Sequence, residues 1–355
     1  MNKGFETNRV GINYELKSIE NLKIAHISDL HNSCFGQQNI DLAAEINKFE
    51  PDIIAFSGDM VNHNHVNPIP FIDLLKNINV ECPMYFCLGN HEIRFRRLNR
   101  EDYDEVMSQI TSLGVKLLDD EHDSININGY DINIYGLATV ASGYGSSVKS
   151  ITKRIGSCDK NAFNIVLAHS PSWLASLAEG GADLVLSGHV HGGIIKLPVL
   201  GGLLSPECSV LPKYDSGLFE YNNQSKMYLS SGLGGALDNF RYKNPREISL
   251  IYVNCASAPK EKVGKRIATD IKFSLKILLT FIMILTIIFS FIPMSLGYAN
   301  KTIVANLVLS ILGIMSIYPP KFIVNSRIFA MKEILFILRV AMITAYIIST
   351  IVFIF

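Results

Sequence analysis

Asp29, His31, Asp59, Asn90, His91, His169, His189 and His191 are the side chains whose types and spacing point to chemistry. They fall in five short clusters: Asp29-Leu30-His31, Gly58-Asp59, Gly89-Asn90-His91-Glu92, His169, and Gly188-His189-Val190-His191. Asp brings anionic oxygen, His neutral nitrogen and Asn neutral oxygen, a donor set suited to borderline-hard divalent ions. In Asp-Leu-His and His-Val-His, the two outer residues of an extended backbone point to one side, so both can face a metal. Glycine at 58, 89 and 188 allows a sharp turn just before each ligand. No thiolate belongs to the set, which argues against a closed structural zinc site. Two ions ~3.5–4 Å apart clamp the attacking and leaving oxygens of an in-line displacement and acidify a water. Such chemistry needs no nucleophilic side chain.

The elements that must position these clusters are short apolar runs, each directly preceding a cluster. Leu22–Ile27 leads to Ser28-Asp29, Asp52–Phe56 to Ser57-Gly58-Asp59, and Met84–Leu88 to Gly89. Phe163–Ala168 leads to His169, and Asp183–Leu186 to Ser187-Gly188-His189. Asp131–Tyr135, Lys226–Leu229 and Ile248–Val253 complete the set. Being β-branched-rich and apolar on both faces, several read as strands of a sheet covered on each side. Helical spacing lies between some of them, over Ile40–Phe49, Phe71–Ile78 and Tyr103–Leu113, the last closed by Gly114. Strand–helix–strand order predicts an α/β fold with a βαβ sheet. The later, closely spaced strands suggest a second, partly antiparallel sheet. In open α/β sheets the carboxyl ends of the strands form the ligand crevice, so all these clusters should converge at one edge.

In that order the clusters resemble the calcineurin-like metallophosphoesterase superfamily, whose pattern is DxH, GDxx(D), GNH(D/E), a lone His, then GHxH. The resemblance covers roughly residues 10–255 and implies a four-layer α/β sandwich. It implies one metal on Asp29, His31, Asp59 and His191, and a second on Asp59, Asn90, His169 and His189, with Asp59 bridging. The two divalent ions would be Mn, Fe or Zn, and a water bridging them would be the nucleophile. His91, with Asn90 beside it, becomes the catalytic group that contacts the phosphate and protonates the leaving oxygen, and Glu92 is placed to orient it. Asn62 stands where many members carry Asp, which puts the tuning of the site, rather than its ligands, in question.

Outside these clusters, His63 and His65 read as a polar loop, with a third metal site as the alternative. His26, in the first strand, and His122, in a charged loop, read as structural. Arg94, Arg96, Arg97 and Arg100 suit either a second anionic group or a solvated helix. Arg241 ends a Gly-rich loop and is a candidate phosphate clamp, with a structural turn as the alternative. The apolar stretch Ile194–Leu204, punctuated by Gly and Pro, is unusual for a surface loop. It resembles a branch that includes hydrolases of UDP-diacylglucosamine and bacterial cell-envelope phosphoesterases. The substrate expected is therefore a phosphomonoester, phosphodiester or pyrophosphate, and a lipid-linked one is favoured. A membrane-tethered phosphoprotein or nucleotide phosphatase, or a non-catalytic scaffold on the same fold, is the alternative.

The 355 residues balance 32 basic against 32 acidic side chains, so no whole-chain field recruits a partner and no nucleic acid is expected. Mean hydropathy is +0.25, and the apolar excess collects after about residue 273. Ser274–Ile292, Thr302–Tyr318 and Ile334–Phe355 are charge-poor runs of about 17–22 residues, near the ~20 that span a bilayer as helix. They suggest a domain over 1–255, a basic linker over 256–273 and a three-helix membrane anchor over 274–355. Lys260, Lys262, Lys265, Arg266, Lys272 and Lys276 flank the first run, against Lys301 alone in the next loop. By the positive-inside rule the N-terminal domain faces the cytoplasm of a multi-pass membrane protein. Met1–Glu20 has no apolar core of a signal peptide, in agreement with that side. Cysteines 34, 82, 87, 158, 208 and 255 show no CxxC pairing and read as free thiols.

Overall fold

The computed structural model describes residues 4–139, 147–197, 201–206, 211–222, 224–235 and 240–259. The three apolar runs after residue 273 lie outside the described residues. Among the described residues no helix is long and apolar enough to cross a membrane.

The chain opens with β1 (Glu6–Ile12), β2 (Leu22–Ile27), α1 (Ile40–Phe49), β3 (Ile53–Phe56), α2 (Ile69–Asn77) and β4 (Met84–Cys87). Then come α3 (Asn90–Leu98), α4 (Arg100–Ser112), β5 (Val115–Leu118), β6 (Glu121–Ile127) and β7 (Tyr130–Leu137). The second half holds α5 (Val148–Ile155), β8 (Phe163–Ala168), α6 (Leu174–Glu179), β9 (Leu184–Ser187), β10 (Ile195–Leu197) and β11 (Gly201–Leu204). It ends with β12 (Gly217–Tyr221), β13 (Ser225–Leu229) and β14 (Glu247–Val253).

Two six-stranded sheets form, in the orders β1-β14-β2-β3-β4-β5 and β12-β13-β9-β8-β7-β6. In the first, β2, β3, β4 and β5 run parallel, as the strand–helix alternation requires. In the second, β7, β8, β9 and β13 are parallel, while the edge strands β6 and β12 pair antiparallel. The last strand, β14, does not join the second sheet but returns to the first, between β1 and β2.

The sheets face one another across a core that includes Ile24, Ile53, Tyr85, Ile134, Ile165, Leu186 and Ile251. On the outer face of the first sheet, Leu42, Ile46, Phe71, Leu74 and Ile110 of the helices bury against Ile54, Phe56 and Phe86. On the outer face of the second, Ile151, Ile155, Leu174 and Leu177 cover Val166, Val185 and Leu229. Both faces of each sheet are thus covered, which is why a strand such as Ile53–Phe56 is apolar at every position. The helix α1 stops at Glu50, whose left-handed conformation ends it just before Pro51. The helix α4 begins earlier than its apolar spacing shows, because Asn99 caps it by accepting from the Asp102 amide at 3.3 Å.

His122 lies in β6 rather than in a loop, its ring stacked on Tyr135 at 5.2 Å. Five cysteines are free thiols, and Cys208 lies outside the described residues.

His26 sits inside β2, fully buried, with Nε2 2.7 Å from the Ser57 hydroxyl. Burial pushes its imidazole down to about 3, against the opposing charge of Asp29. The unfolded residue titrates near 6.5. Between those values the unfolded chain takes up a proton that the folded one refuses, so stability falls as pH falls, by up to about 1.4 kcal/mol per pH unit. Replacing His26 with Gln keeps a hydrogen-bonding side chain but removes the titration. Urea unfolding at several values between about pH 6 and 4 should show a shallower loss of stability in His26→Gln by about one proton. An unchanged slope would show that His26 does not titrate on unfolding.

Candidate active site

The carboxyl ends of β2, β3 and β4 in one sheet, and of β8 and β9 in the other, deliver every cluster to one place. Asp29, His31 and His191 bring ligand atoms within 4.8 Å of one another. So do His31, Asp59 and His91, and again Asp59, His169 and His189. Asp59 belongs to two of these groups. Its Oδ2 lies 3.0 Å from His169 Nε2 on one side and 3.7 Å from His31 Nε2 on the other. Asp29 Oδ1 is 3.3 Å from His191 Nε2, and His31 Nε2 is 3.2 Å from the same nitrogen.

The backbone is bent hard to achieve this. Asp29, His31, Asp59, His189 and His191 all adopt positive φ, between 45° and 74°. Non-glycine residues rarely do so, and the strain persists only where the surroundings over-determine it. Cross-braces supply that determination. The Asp29 amide donates to Gly58 O at 3.0 Å, His31 to Asp59 O at 3.1 Å and Gly188 to His169 O at 3.0 Å. The three glycines divide their work. Gly58 has φ of +101° and needs its freedom. Gly89 is extended, and Gly188 has no left-handed φ either. What both supply is room: a Cβ on Gly89 would stand 2.2 Å from Asp59 Oδ1, and one on Gly188 1.8 Å from Ser28 Oγ.

Both aspartates are almost wholly buried. Burial alone would raise the Asp29 carboxyl, but His191, His169 and a hydrogen bond from His31 hold it below the usual range. Burial likewise opposes ionisation of Asp59, and His169 and His91 hold it low. The compensating charge falls on His169: burial would lower it, but Asp59 and Asp29 raise it to about 10. The donors fit divalent metal. The Asn90 Oδ1 atom is buried without a hydrogen-bond partner among the described residues, an arrangement that a ligated cation relieves. The amino end of α3 also points here, and the His91 amide donates to Asp59 Oδ1 at 2.8 Å.

Glu92 does not orient His91. It is fully buried and accepts from the Asp59 and Gly89 amides on Oε2 and from the Val61 amide on Oε1, each at 2.9 Å. It is a strut for the loop that carries Asp59. Burial and the Asp59 charge raise its carboxyl to about 7, against the hydrogen bonds from Val61 and Asp59. The neighbour of His91 is instead His63, with the two Nδ1 atoms 2.8 Å apart. Burial, then Arg94, push His63 down to about 4. The sequence marks His63 only as a histidine in a polar loop, because the contact joins residues 28 apart. Asn62 turns elsewhere, its Oδ1 accepting from the Asn64 amide at 2.9 Å.

Arg241 reaches the site edge. Its guanidinium donates to the carbonyls of Gly234, Gly232 and His191, and one terminal nitrogen lies 3.2 Å from His191 Nδ1. Burial lowers it to about 10, still a cation at neutral pH. Among the other arginines, Arg96 pairs with Asp119 and Arg100 with Asp104 at 2.7 Å. The stretch after His191 forms the β10–β11 hairpin. Ile194 and Leu204 bury in the domain, and residues 198–200 lie outside the described residues.

Residues 22–193, which hold all the clustered side chains, match the family described as calcineurin-like phosphoesterase, and the enzyme class is that of metal-dependent hydrolases of phosphoric esters. Over that stretch the chain is similar to the calcineurin-like family. The uncharacterized metallophosphoesterase YkoQ of Bacillus subtilis is 28% identical over 257 residues, 70% of this chain and 90% of that protein. The phosphodiesterase YaeI of Escherichia coli is 25% identical over 64% of this chain and 81% of its own length. The UDP-2,3-diacylglucosamine pyrophosphatase LpxG of Chlamydia muridarum is 23% identical over 66% of this chain and 84% of its own.

The Glu92 strut has a direct test. Glu92→Gln keeps the shape but turns an NH2 toward backbone N–H groups, leaving at least one buried donor unpaired, at a cost of about 1–3 kcal/mol. A lower thermal midpoint in the metal-free protein is expected; an unchanged midpoint would remove Glu92 as the support of the Asp59 loop.

Proposed function

We propose that this chain is a dinuclear phosphohydrolase acting on a lipid-linked pyrophosphate or phosphodiester at a membrane surface. The observation that carries the dinuclear reading is the position of Asp59, whose carboxylate has histidine ligands on both sides. In this reading Asp29, His31, Asp59 and His191 hold one divalent ion, and Asp59, Asn90, His169 and His189 hold the other. When bound, the ions supply Lewis acidity and an acidified water. The chain's own residues do the rest. His91, with Nε2 4.0 Å from Asp59 Oδ2, faces the same space and is placed to hydrogen-bond a leaving oxygen. Arg241 braces the loop of Gly232 and Gly234 against His191 and lends its charge to a phosphate at that edge.

The lipid-linked substrate is supported by similarity to a pyrophosphatase of UDP-2,3-diacylglucosamine and by the apolar β10–β11 hairpin beside His191. Ile194 and Leu204 serve the core, so contact with an acyl chain falls to the hairpin's outer side, where Ile195 and Leu203 are half-buried. The reading further takes residues 1–255 as the catalytic domain, 256–273 as a basic linker and 274–355 as a three-helix anchor that holds the domain at the cytoplasmic face. That part rests on the charge-poor runs and their flanking cations alone.

Metal-reconstituted full-length protein should hydrolyse UDP-2,3-diacylglucosamine with higher kcat/KM than bis-p-nitrophenyl phosphate or p-nitrophenyl phosphate. Preference for p-nitrophenyl phosphate would favour a tethered monoester phosphatase instead. Elemental analysis should find two ions per chain, and Asp59→Ala should lose both together with hydrolysis of every substrate. Retention of two ions and near-normal turnover in Asp59→Ala would overturn the dinuclear assignment.

A further inference from the structure

His63 lies outside every motif that the fold's chemistry uses, yet it is buried against His91. Its ring centroid is 4.3 Å from that of His91, at 65°. Two donors converge on His91 Nδ1 from this one residue. The backbone amide of His63 approaches it at 3.4 Å, and the His63 ring nitrogen Nδ1 at 2.8 Å. A backbone N–H only donates. His91 Nδ1 must therefore be an acceptor, and of the two ring nitrogens the proton in the short contact belongs to His63. With its lone pair on Nδ1, a neutral His91 carries its proton on Nε2, the atom that faces Asp59.

We propose that His63 is a positioning residue: it donates from Nδ1 to His91 Nδ1 and so fixes the tautomer in which His91 presents Nε2–H to the leaving oxygen. The role assigned to His91 rests on the hydrolase reading above; the tautomer does not. Asn62, beside it, carries no part of this contact, since its side-chain oxygen is held by the Asn64 amide. The pairing also explains why an otherwise polar loop is pinned: Asn32 donates to His65 O, and its Oδ1 accepts from the Asn62 amide at 3.0 Å. The segment 62–65 is thereby held over the site.

The test uses full-length protein labelled with 15N at histidine, with His91 resonances assigned by their loss in His91→Ala. Nitrogen spectra of the metal-free protein should show His91 unprotonated at Nδ1 and protonated at Nε2. In His63→Phe, which fills the space without a ring donor, the two tautomers should mix. His63→Asn, whose amide can donate from near the same point, should restore the single tautomer. In metal-loaded protein, His63→Phe should lower kcat for an alkyl phosphodiester about tenfold more than for an aryl one, because only the poorer leaving group depends on the donor. His63→Asn should recover most of that difference. A His91 protonated at Nδ1 in the unaltered protein would overturn the proposal. So would equal losses for both leaving groups, the mark of a merely structural role. If no ester is turned over but the tautomer is as stated, the hydrolase reading fails and the positioning contact stands.

Discussion

The constraint on which the rest depends is the burial of two carboxylates, Asp29 and Asp59, side by side between two sheets. An isolated buried carboxylate costs many kcal/mol unless it is paired or bound to a cation. The fold answers with whatever positive or donating groups it can aim at them. Asp29 accepts from the Ser28 hydroxyl and the His189 amide, and Asp59 from the His91 amide. His169 lies 3.0 Å from one and 3.9 Å from the other. A divalent cation would be the stronger answer to the same demand, with the imidazoles that otherwise carry protons as its ligands.

Placing those carboxylates dictates local backbone geometry. The side chain of a residue leaving a parallel strand points to one sheet face or the other, not along the strand axis. Turning Asp29, Asp59, His189 and His191 into a shared crevice requires the left-handed region at each. Each such residue is a small local loss, and the supports identify themselves by what they touch. Glu92 holds three amides of the Asp59 turn. Asn244 donates to the carbonyls of His191 and Gly193. Gly232 and Gly234 bring the last loop so close that a Cβ on either would stand within 2.7 Å of Asp29 or His31 side-chain atoms.

What the sequence reveals follows from this division. The central strands were legible because they are buried on both faces: β2 and β8 have the bounds that their apolar runs give, as does α1. The ligand clusters were legible because each sits at a strand end. Edge strands were not. Glu121–Ile127 has no buried position and is polar over its first four residues, and its best signal, Asn128-Gly129 with φ of 55° and 85°, is a two-residue hairpin turn. The supports were hidden for another reason. Glu92 and His63 act across some thirty residues of chain, on partners that only the tertiary fold selects. Residue type alone made Glu92 a partner for the adjacent His91, whereas its real partners are backbone amides.

The seam between the sheets adds a last step. Asp29, His31, Asp59, Asn90 and His91 come from the ends of the first sheet's strands, and His169, His189 and His191 from the second's. In the ligand sets proposed, each ion draws on both sheets: His191 completes the first set, and His169 with His189 completes the second. A bound ion would therefore join two layers that also meet through apolar side chains such as Ile134 and Leu186 and through hydrogen bonds such as that from the Tyr85 hydroxyl to Asp123 at 2.8 Å. Binding to the native state alone adds about 2.7 kcal/mol at a free-metal concentration one hundred times Kd. Ion binding and native stability are then linked: an ion held by both sheets would add its binding free energy to the stability of the joined sheets, and a lost ligand would remove that addition.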